Sequence, residues 1–119
     1  MLRQVDGENA GFTASHIVAA ATGRTISQLV ADYPLQVFQR DIDNVNQLAR
    51  RHLKGEPLAY ILRQWEFHGL TLTITPDVLI PRDDTEVVTV MAIQQAMILP
   101  EKPRILDLCT GSGCIEIGR

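Results

Sequence analysis

Arg104-Ile-Leu-Asp-Leu-Cys-Thr-Gly-Ser-Gly-Cys-Ile115 is the stretch that decides the fold, because it predicts a strand, a tight loop and a helix start. Ile105, Leu106 and Leu108 form a short apolar run, which is typical of a strand covered on both faces. Asp107 lies at its carboxyl end, and residues 110–113 follow with little side-chain bulk. Ligands of open α/β sheets bind at such ends, where glycines allow close backbone approach. The stretch therefore predicts a ligand-binding corner.

The residues of that corner favour a cationic ligand over a pyrophosphate. The dinucleotide fingerprint needs a small residue three positions after its second glycine, and Glu116 stands there. An acid at the strand end suits the ammonium and sulfonium groups of S-adenosylmethionine. The predicted cofactor-binding residues are Asp107, Cys109, Thr110, Gly111, Ser112 and Gly113. The alternative is an ordinary strand–turn–helix corner without a ligand.

The composition is that of an ordinary globular chain. Of 119 residues, 45% are apolar and 21% are charged, with a net charge of −3. This charge gives no reason to expect nucleic-acid binding, and no apolar run approaches the roughly 20 residues of a membrane span. The amino terminus lacks a signal-peptide pattern, so we expect a cytoplasmic protein. Cys109 and Cys114 are predicted to be small buried residues, and no residue is predicted to bind a metal.

The first half of the chain has helical periodicity. Residues 1–11 are polar and are expected to be disordered. A helix capped by Thr13 is predicted to end at Gly23, and Thr25 with Gln28 has capping-box spacing for a second helix.

A third and longer helix is predicted after the helix that begins near Thr25. The second helix should end at Tyr33-Pro34, and the next should cover residues 35–54 and end at Gly55, with apolar positions at a period near 3.6. A basic cluster near its end consists of Arg50, Arg51, His52 and Lys54. These residues either contact phosphate or form a solvated last turn, where cations oppose the helix dipole.

The second half changes to a period of two. Leu70, Leu72 and Ile74 alternate with threonines, so residues 65–75 predict a β-hairpin with its turn near His68-Gly69.

A further helix is predicted from the acid-rich start at residues 82–86, where Asp83 and Glu86 have capping-box spacing. It is apolar on most sides, which indicates a buried layer. Arg82 and Glu86 are further candidates for lining the ligand cleft, although helix entry explains Glu86 equally well.

Four motifs occur in order along the chain. They are Gly55-Glu-Pro-Leu-Ala-Tyr60, Trp65-Glu-Phe-His-Gly-Leu70, Leu79-Ile-Pro-Arg-Asp-Asp-Thr-Glu86 and Ile105-Leu-Asp-Leu-Cys-Thr-Gly-Ser-Gly-Cys-Ile115. Together they resemble HemK-type protein-glutamine methyltransferases, most closely the branch that modifies the Gly-Gly-Gln glutamine of peptide chain release factors. The sister branch, which modifies a ribosomal-protein glutamine, is the alternative. The Asp-Thr-Glu at residues 84–86 favours the first branch.

The resemblance implies an α+β chain of three parts. These are a helical substrate-recognition bundle over residues 1–55, a linker with the β-hairpin over 56–76, and the first helix–strand unit of a Rossmann-like methyltransferase domain over 77–119. It further implies S-adenosylmethionine as cofactor and peptide chain release factors as protein substrates, with no direct role for nucleic acid or membrane.

The chain departs from the family pattern at several positions. Arg63 stands where a glycine is often found, and Asp83 replaces a proline at a helix entry. Cys109 replaces the first glycine of the loop, so that position is expected not to need a positive φ. Gly118 is expected to weaken the last helix by about 1 kcal/mol relative to alanine.

The family's catalytic Asn-Pro-Pro-Tyr motif does not occur in these 119 residues, so no catalytic residue is predicted. We therefore expect a truncated methyltransferase that is inactive alone and binds S-adenosylmethionine weakly or not at all. The competing hypothesis is a non-catalytic protein-binding module. A strand over residues 104–108 with both edges exposed would also favour self-association.

Overall fold

A computed structural model describes residues 2–31, 36–99 and 104–118. The chain forms two compact units, Met1–Leu62 and Arg63–Arg119. Among the described residues, none of the helices combines the length and the apolar character that crossing a membrane requires. The three-part division expected from the resemblance stays a prediction.

Every secondary-structure element in the described residues of the first unit is a helix. Its elements are α1 (Leu2–Asp6), a 3₁₀ turn (Gly7–Asn9), α2 (Ala10–Thr22), α3 (Ile26–Ala31), α4 (Gln39–Leu53) and α5 (Leu58–Leu62). Its buried apolar side chains are Ala10, Ile17, Leu58, Ala59 and Ile61. The predicted helical first half is thereby confirmed. The short helix α5 supplies three of these core residues.

Local sequence signals set most of the helix ends in this unit. Gly23 adopts a φ of 68° after α2, and Gly55 adopts a φ of 95° beyond α4, as predicted. Thr25 and Gln28 form the predicted capping box through reciprocal hydrogen bonds of 2.9 and 3.1 Å. The predicted helix end at Tyr33-Pro34 and the predicted start at residue 35 lie outside the described residues.

Two predictions for the amino-terminal region are wrong. Residues 2–9 are not disordered but form α1 and the 3₁₀ turn. Thr13 does not cap α2, because it lies inside that helix with 4% exposure. The first difference is consistent with a contact distant in sequence, because the Asp6 carboxylate of α1 lies 2.9 Å from the ring of His52.

The second unit opens with the predicted β-hairpin. Strands β1 (Gln64–Phe67) and β2 (Leu70–Thr73) pair antiparallel. Both residues of the turn have positive φ, 48° at His68 and 75° at Gly69, as a type I′ turn requires. Its right-handed twist matches that of the strands, so the two-residue loop fixes the register.

Two helices complete the second unit, α6 (Asp83–Met97) and α7 (Cys114–Gly118). Its buried side chains include Phe67, Leu72, Ile74, Thr89 and Cys114. The buried-layer prediction for α6 is wrong in this chain. Many of its apolar side chains are exposed, and only Thr89 is buried among its residues.

The α+β class is confirmed, but the Rossmann-like helix–strand unit is not. Residues 104–107 form neither helix nor strand. A parallel strand is defined by hydrogen bonds to its neighbours. In the described parts of the chain, the only strands are the two of the hairpin.

Arg63 is strained, and its replacement provides a first prediction. Its φ of 58° lies in the left-handed region, which costs a non-glycine residue about 1–2 kcal/mol. We expect Arg63→Gly to stabilise the second unit by about 0.5–1 kcal/mol, because glycine's greater freedom in the unfolded chain offsets part of the relief. Urea unfolding followed by the fluorescence of Trp65 measures this gain. Arg82→Gly is the control, since Arg82 has a φ of −105° and should gain nothing.

Candidate functional site

The glycine-rich loop begins at Asp107, whose carboxylate is tied to the turn that follows. The Thr110 hydroxyl donates a hydrogen bond of 2.9 Å to Asp107 Oδ2. The Gly113 N–H donates to the Thr110 carbonyl at 2.9 Å, and the Ile117 N–H donates to the Gly113 carbonyl at 3.0 Å. These bonds connect the acid, the loop and α7 in one continuous turn.

Three loop residues have left-handed backbones. The φ angles are 61° at Cys109, 57° at Gly111 and 75° at Gly113. The expectation that Cys109 avoids positive φ is therefore wrong. Both cysteines were predicted to be buried. Cys114 is buried, but Cys109 is exposed, so the prediction is confirmed only for Cys114.

Gly111 faces open space. Among the residues that the structure describes, a Cβ atom built on it would meet no atom closer than the Cys109 carbonyl oxygen, at 4.0 Å. At Gly113, by contrast, a Cβ would contact Ile117 Cδ1 at 3.6 Å. The two glycines thus have different roles, because Gly111 leaves room beside the backbone and Gly113 permits the turn into α7.

Close packing anchors α7 in its unit. Cys114 is buried, and a Cβ on Gly118 would lie 3.2 Å from Thr89 Cγ2 and 3.6 Å from Phe67 Cε1. Gly118 therefore occupies a tight contact with α6 and the hairpin. Helix propensity alone therefore does not describe this position, because an alanine here would have to displace the Thr89 methyl group.

Glu86 has a role that its spacing did not indicate. The predicted capping box with Asp83 is wrong, because Asp83 is the first residue of α6 and Arg82 precedes it as the N-cap. The Glu86 carboxylate instead accepts a 2.7 Å hydrogen bond from the backbone N–H of His68. It thereby joins the first turn of α6 to the hairpin turn. Arg82 is exposed, and its assignment to the ligand cleft stays a prediction.

Two members of the basic cluster at the end of α4 are paired with acidic side chains. Arg51 pairs with Glu56 through two hydrogen bonds, and this hydrogen bonding lowers the pKa of the Glu56 carboxyl. His52 is engaged with Asp6, while Arg50 and Lys54 are exposed. Within the described ranges, no group of histidine, cysteine and acidic side chains could hold a metal ion.

Comparisons with known proteins indicate the same family along the chain. A family model described as the PrmC N-terminal domain matches residues 1–62. A release factor glutamine methyltransferase from Haemophilus influenzae is 40% identical over 114 residues, covering 92% of this chain and 39% of the relative. One from Geobacter sulfurreducens is 37% identical over 110 residues, covering 92% and 38%. One from Bordetella pertussis is 51% identical over 71 residues, covering 60% and 26%.

These similarities indicate one class, the methyltransferases that act on glutamine in proteins. The chain belongs to the release factor glutamine methyltransferase family, and the PrmC N-terminal domain corresponds to its first unit. The resemblance seen in the four sequence motifs is confirmed. The chain spans about two fifths of the length of relatives such as the Haemophilus influenzae protein.

Proposed function

We propose that this chain is part of a cytoplasmic enzyme that methylates the Gly-Gly-Gln glutamine of peptide chain release factors, with S-adenosylmethionine as methyl donor. The observation that carries the proposal is similarity over 92% of the chain to proteins named release factor glutamine methyltransferase. The order of the four motifs supports the same assignment. Translation takes place in the cytoplasm, which is where the proposed substrate is found.

The loop from Asp107 to Gly113 fits the proposed cofactor by its shape and its donor set. Gly111 has open space beside its backbone, so a ligand can approach the loop there, whereas the Gly113 N–H is already bonded to the Thr110 carbonyl. The half-buried carboxylate of Asp107 offers a negative charge to the ammonium of the cofactor's methionine end. S-adenosylmethionine would supply an electrophilic methyl group on its sulfonium.

In the proposed reaction, the residues of this chain bind and orient the cofactor and the release factor, and none of them acts as a catalytic group. We assign cofactor binding to Asp107, Cys109, Thr110, Gly111, Ser112 and Gly113. The Thr110–Asp107 hydrogen bond fixes the carboxylate before the ligand arrives, which lowers the ordering cost of binding. Recognition of the release factor is assigned to the helical first unit.

A chimera tests the proposal. This chain replaces the matching segment of the Haemophilus influenzae relative, with which it aligns over 114 residues. We expect the folded chimera to transfer a methyl group to the Gly-Gly-Gln glutamine of a release factor and to spare a release factor with alanine there. The isolated 119-residue chain should neither transfer methyl groups nor bind S-adenosylmethionine at micromolar concentration.

Three outcomes would contradict the proposal. A folded chimera that methylates only a ribosomal protein would favour the sister branch. A chimera that binds release factors without methylating them would favour a binding module. Turnover by the isolated chain would show that it contains catalytic residues which the proposal does not assign. Circular dichroism of every sample separates these outcomes from misfolding.

A further inference from the structure

Three elements of the second unit meet beside Glu86. The Glu86 carboxylate accepts a 2.7 Å hydrogen bond from the backbone N–H of His68, in the hairpin turn. Thr89 follows Glu86 on the same face of α6 and is fully buried. A Cβ on Gly118, the last residue of α7, would lie 3.2 Å from Thr89 Cγ2 and 3.9 Å from His68 Cδ2. The first turn of α6, the hairpin turn and the end of α7 therefore form one contact region.

The hairpin turn needs a partner outside the hairpin for the N–H that Glu86 binds. Strand pairing ends at the pair Phe67–Leu70, so the His68 N–H lies outside the ladder. His68 has a φ of 48°, a conformation that a non-glycine residue keeps only where its surroundings hold it. A carboxylate forms stronger hydrogen bonds than a neutral acceptor does. The bond to Glu86 therefore fixes the turn against α6.

The glycine-rich loop depends on α7 for its shape. Cys109 has a φ of 61°, which likewise requires support from the surrounding structure. The loop leads through Gly113 directly into α7, which has five residues and is too short to be stable in isolation. Burial of Cys114 anchors the start of this helix, and the packing around Gly118 anchors its end. Loosening either contact would loosen the loop.

The position of Glu86 favours an indirect effect on the loop over a direct contact with a ligand. The hairpin turn that Glu86 holds packs near Gly118, at the far end of α7 from the loop. Five helical residues span about 7.5 Å. The Oε1 atom of Glu86 is also bonded to the His68 N–H. The contacts of Glu86 thus reach the loop through the hairpin turn and α7.

We propose that Glu86 is a positioning residue for the cofactor loop, which it steadies by holding the hairpin turn against the end of α7. The proposal rests on the proposed binding of S-adenosylmethionine by that loop. What matters at position 86 is a hydrogen-bond acceptor at the right reach, and its charge is secondary. Removing the acceptor therefore disorders the loop and weakens cofactor binding without removing any group that touches the cofactor.

Nuclear magnetic resonance of the 119-residue chain tests the effect on the loop without any cofactor. In Glu86→Ala we expect the amide resonance of His68 to move, because its hydrogen bond is lost, and those of Gly111 and Gly113 to move or broaden with it. Asp83→Ala is the matched control. Asp83 is an exposed acid in the first turn of the same helix, so its removal should leave the loop resonances in place.

Two further variants separate reach from charge. Glu86→Gln keeps an acceptor oxygen at the same reach and loses the charge, so its loop resonances should match those of the unmodified chain. Glu86→Asp keeps the charge and shortens the side chain by one methylene, so it should resemble Glu86→Ala. Loop resonances that stay in place in both Glu86→Ala and Glu86→Asp would overturn the proposal, as would a Glu86→Gln variant that resembles Glu86→Ala.

Calorimetric titration of the folded chimera with S-adenosylmethionine tests the effect on binding. Glu86→Ala and Glu86→Asp should each lower the affinity by about ten-fold, the order expected for one hydrogen bond to a charged group, and Glu86→Gln should stay within about two-fold. Unchanged affinity in all three variants would overturn the proposal, because Glu86 would then only stabilise its unit. An unmodified chimera that binds no S-adenosylmethionine would contradict the proposed function, and the loop resonances would still decide the role of Glu86.

Discussion

Gly111→Val is expected to lower the affinity of the chimeric enzyme for S-adenosylmethionine by about two orders of magnitude, which corresponds to roughly 3 kcal/mol. The valine side chain would project into the space beside the loop, where a Cβ atom on residue 111 would lie 4.0 Å from the nearest atom of the described residues. Because the Cβ position is not crowded by the described residues, we expect a steric cost to the ligand in addition to the backbone strain of a valine at positive φ. Calorimetric titration with S-adenosylmethionine measures the effect.

Gly23→Val is the matched control for backbone strain. Gly23 has a φ of 68°, close to the 57° of Gly111, and also has open space around its Cβ position. Each valine should destabilise its unit by about 1–2 kcal/mol, because both adopt a left-handed backbone. Only Gly111→Val should weaken cofactor binding. Equal affinities in the two variants would remove the loop from the proposed site.

The features predicted correctly from the sequence are those set by neighbouring residues. The hairpin needs only alternating apolar residues and a turn that accepts positive φ, and His68-Gly69 supplies that turn. The capping box at Thr25 and the helix end at Gly23 are similarly local. In each case the residues that determine the structure lie within a few positions of one another.

Features that depend on distant partners were missed. Helix α1 is held by a bond between residues 46 positions apart, and the Glu86–His68 bond joins residues 18 apart. Neither pair has a spacing that periodicity or capping rules would detect. A polar segment such as residues 2–9 therefore resembles a disordered end until its partner is known.

The candidate site was only partly predictable for a related reason. The glycines and Asp107 indicated a tight loop, and the structure contains one. The apolar residues within 104–108 indicated a strand. An apolar segment forms a strand only when neighbouring strands supply its backbone hydrogen bonds. The positive φ of Cys109 could not be predicted from the sequence either, because the residue type alone does not determine φ.

Phe67→Ala is expected to destabilise the second unit by about 3–5 kcal/mol, the usual cost of removing a buried aromatic side chain. Phe67 is 2% exposed and lies on β1 beside α7, where its ring is 3.6 Å from the Cβ position of Gly118. A loss of this size is comparable with the whole stability of a small domain. Urea unfolding should therefore show a much earlier transition for the second unit.

The single tryptophan makes this measurement specific to one unit. Trp65 lies in β1, so its fluorescence follows the second unit, while far-ultraviolet circular dichroism is dominated by the helices of the first. In Phe67→Ala the fluorescence transition should move to low urea and most of the helical signal should persist. Phe12→Ala is the control, because Phe12 is 53% exposed and its removal should cost no more than about 1 kcal/mol. Equal shifts of the Trp65 transition in both variants would show that Phe67 is not a core residue of this unit.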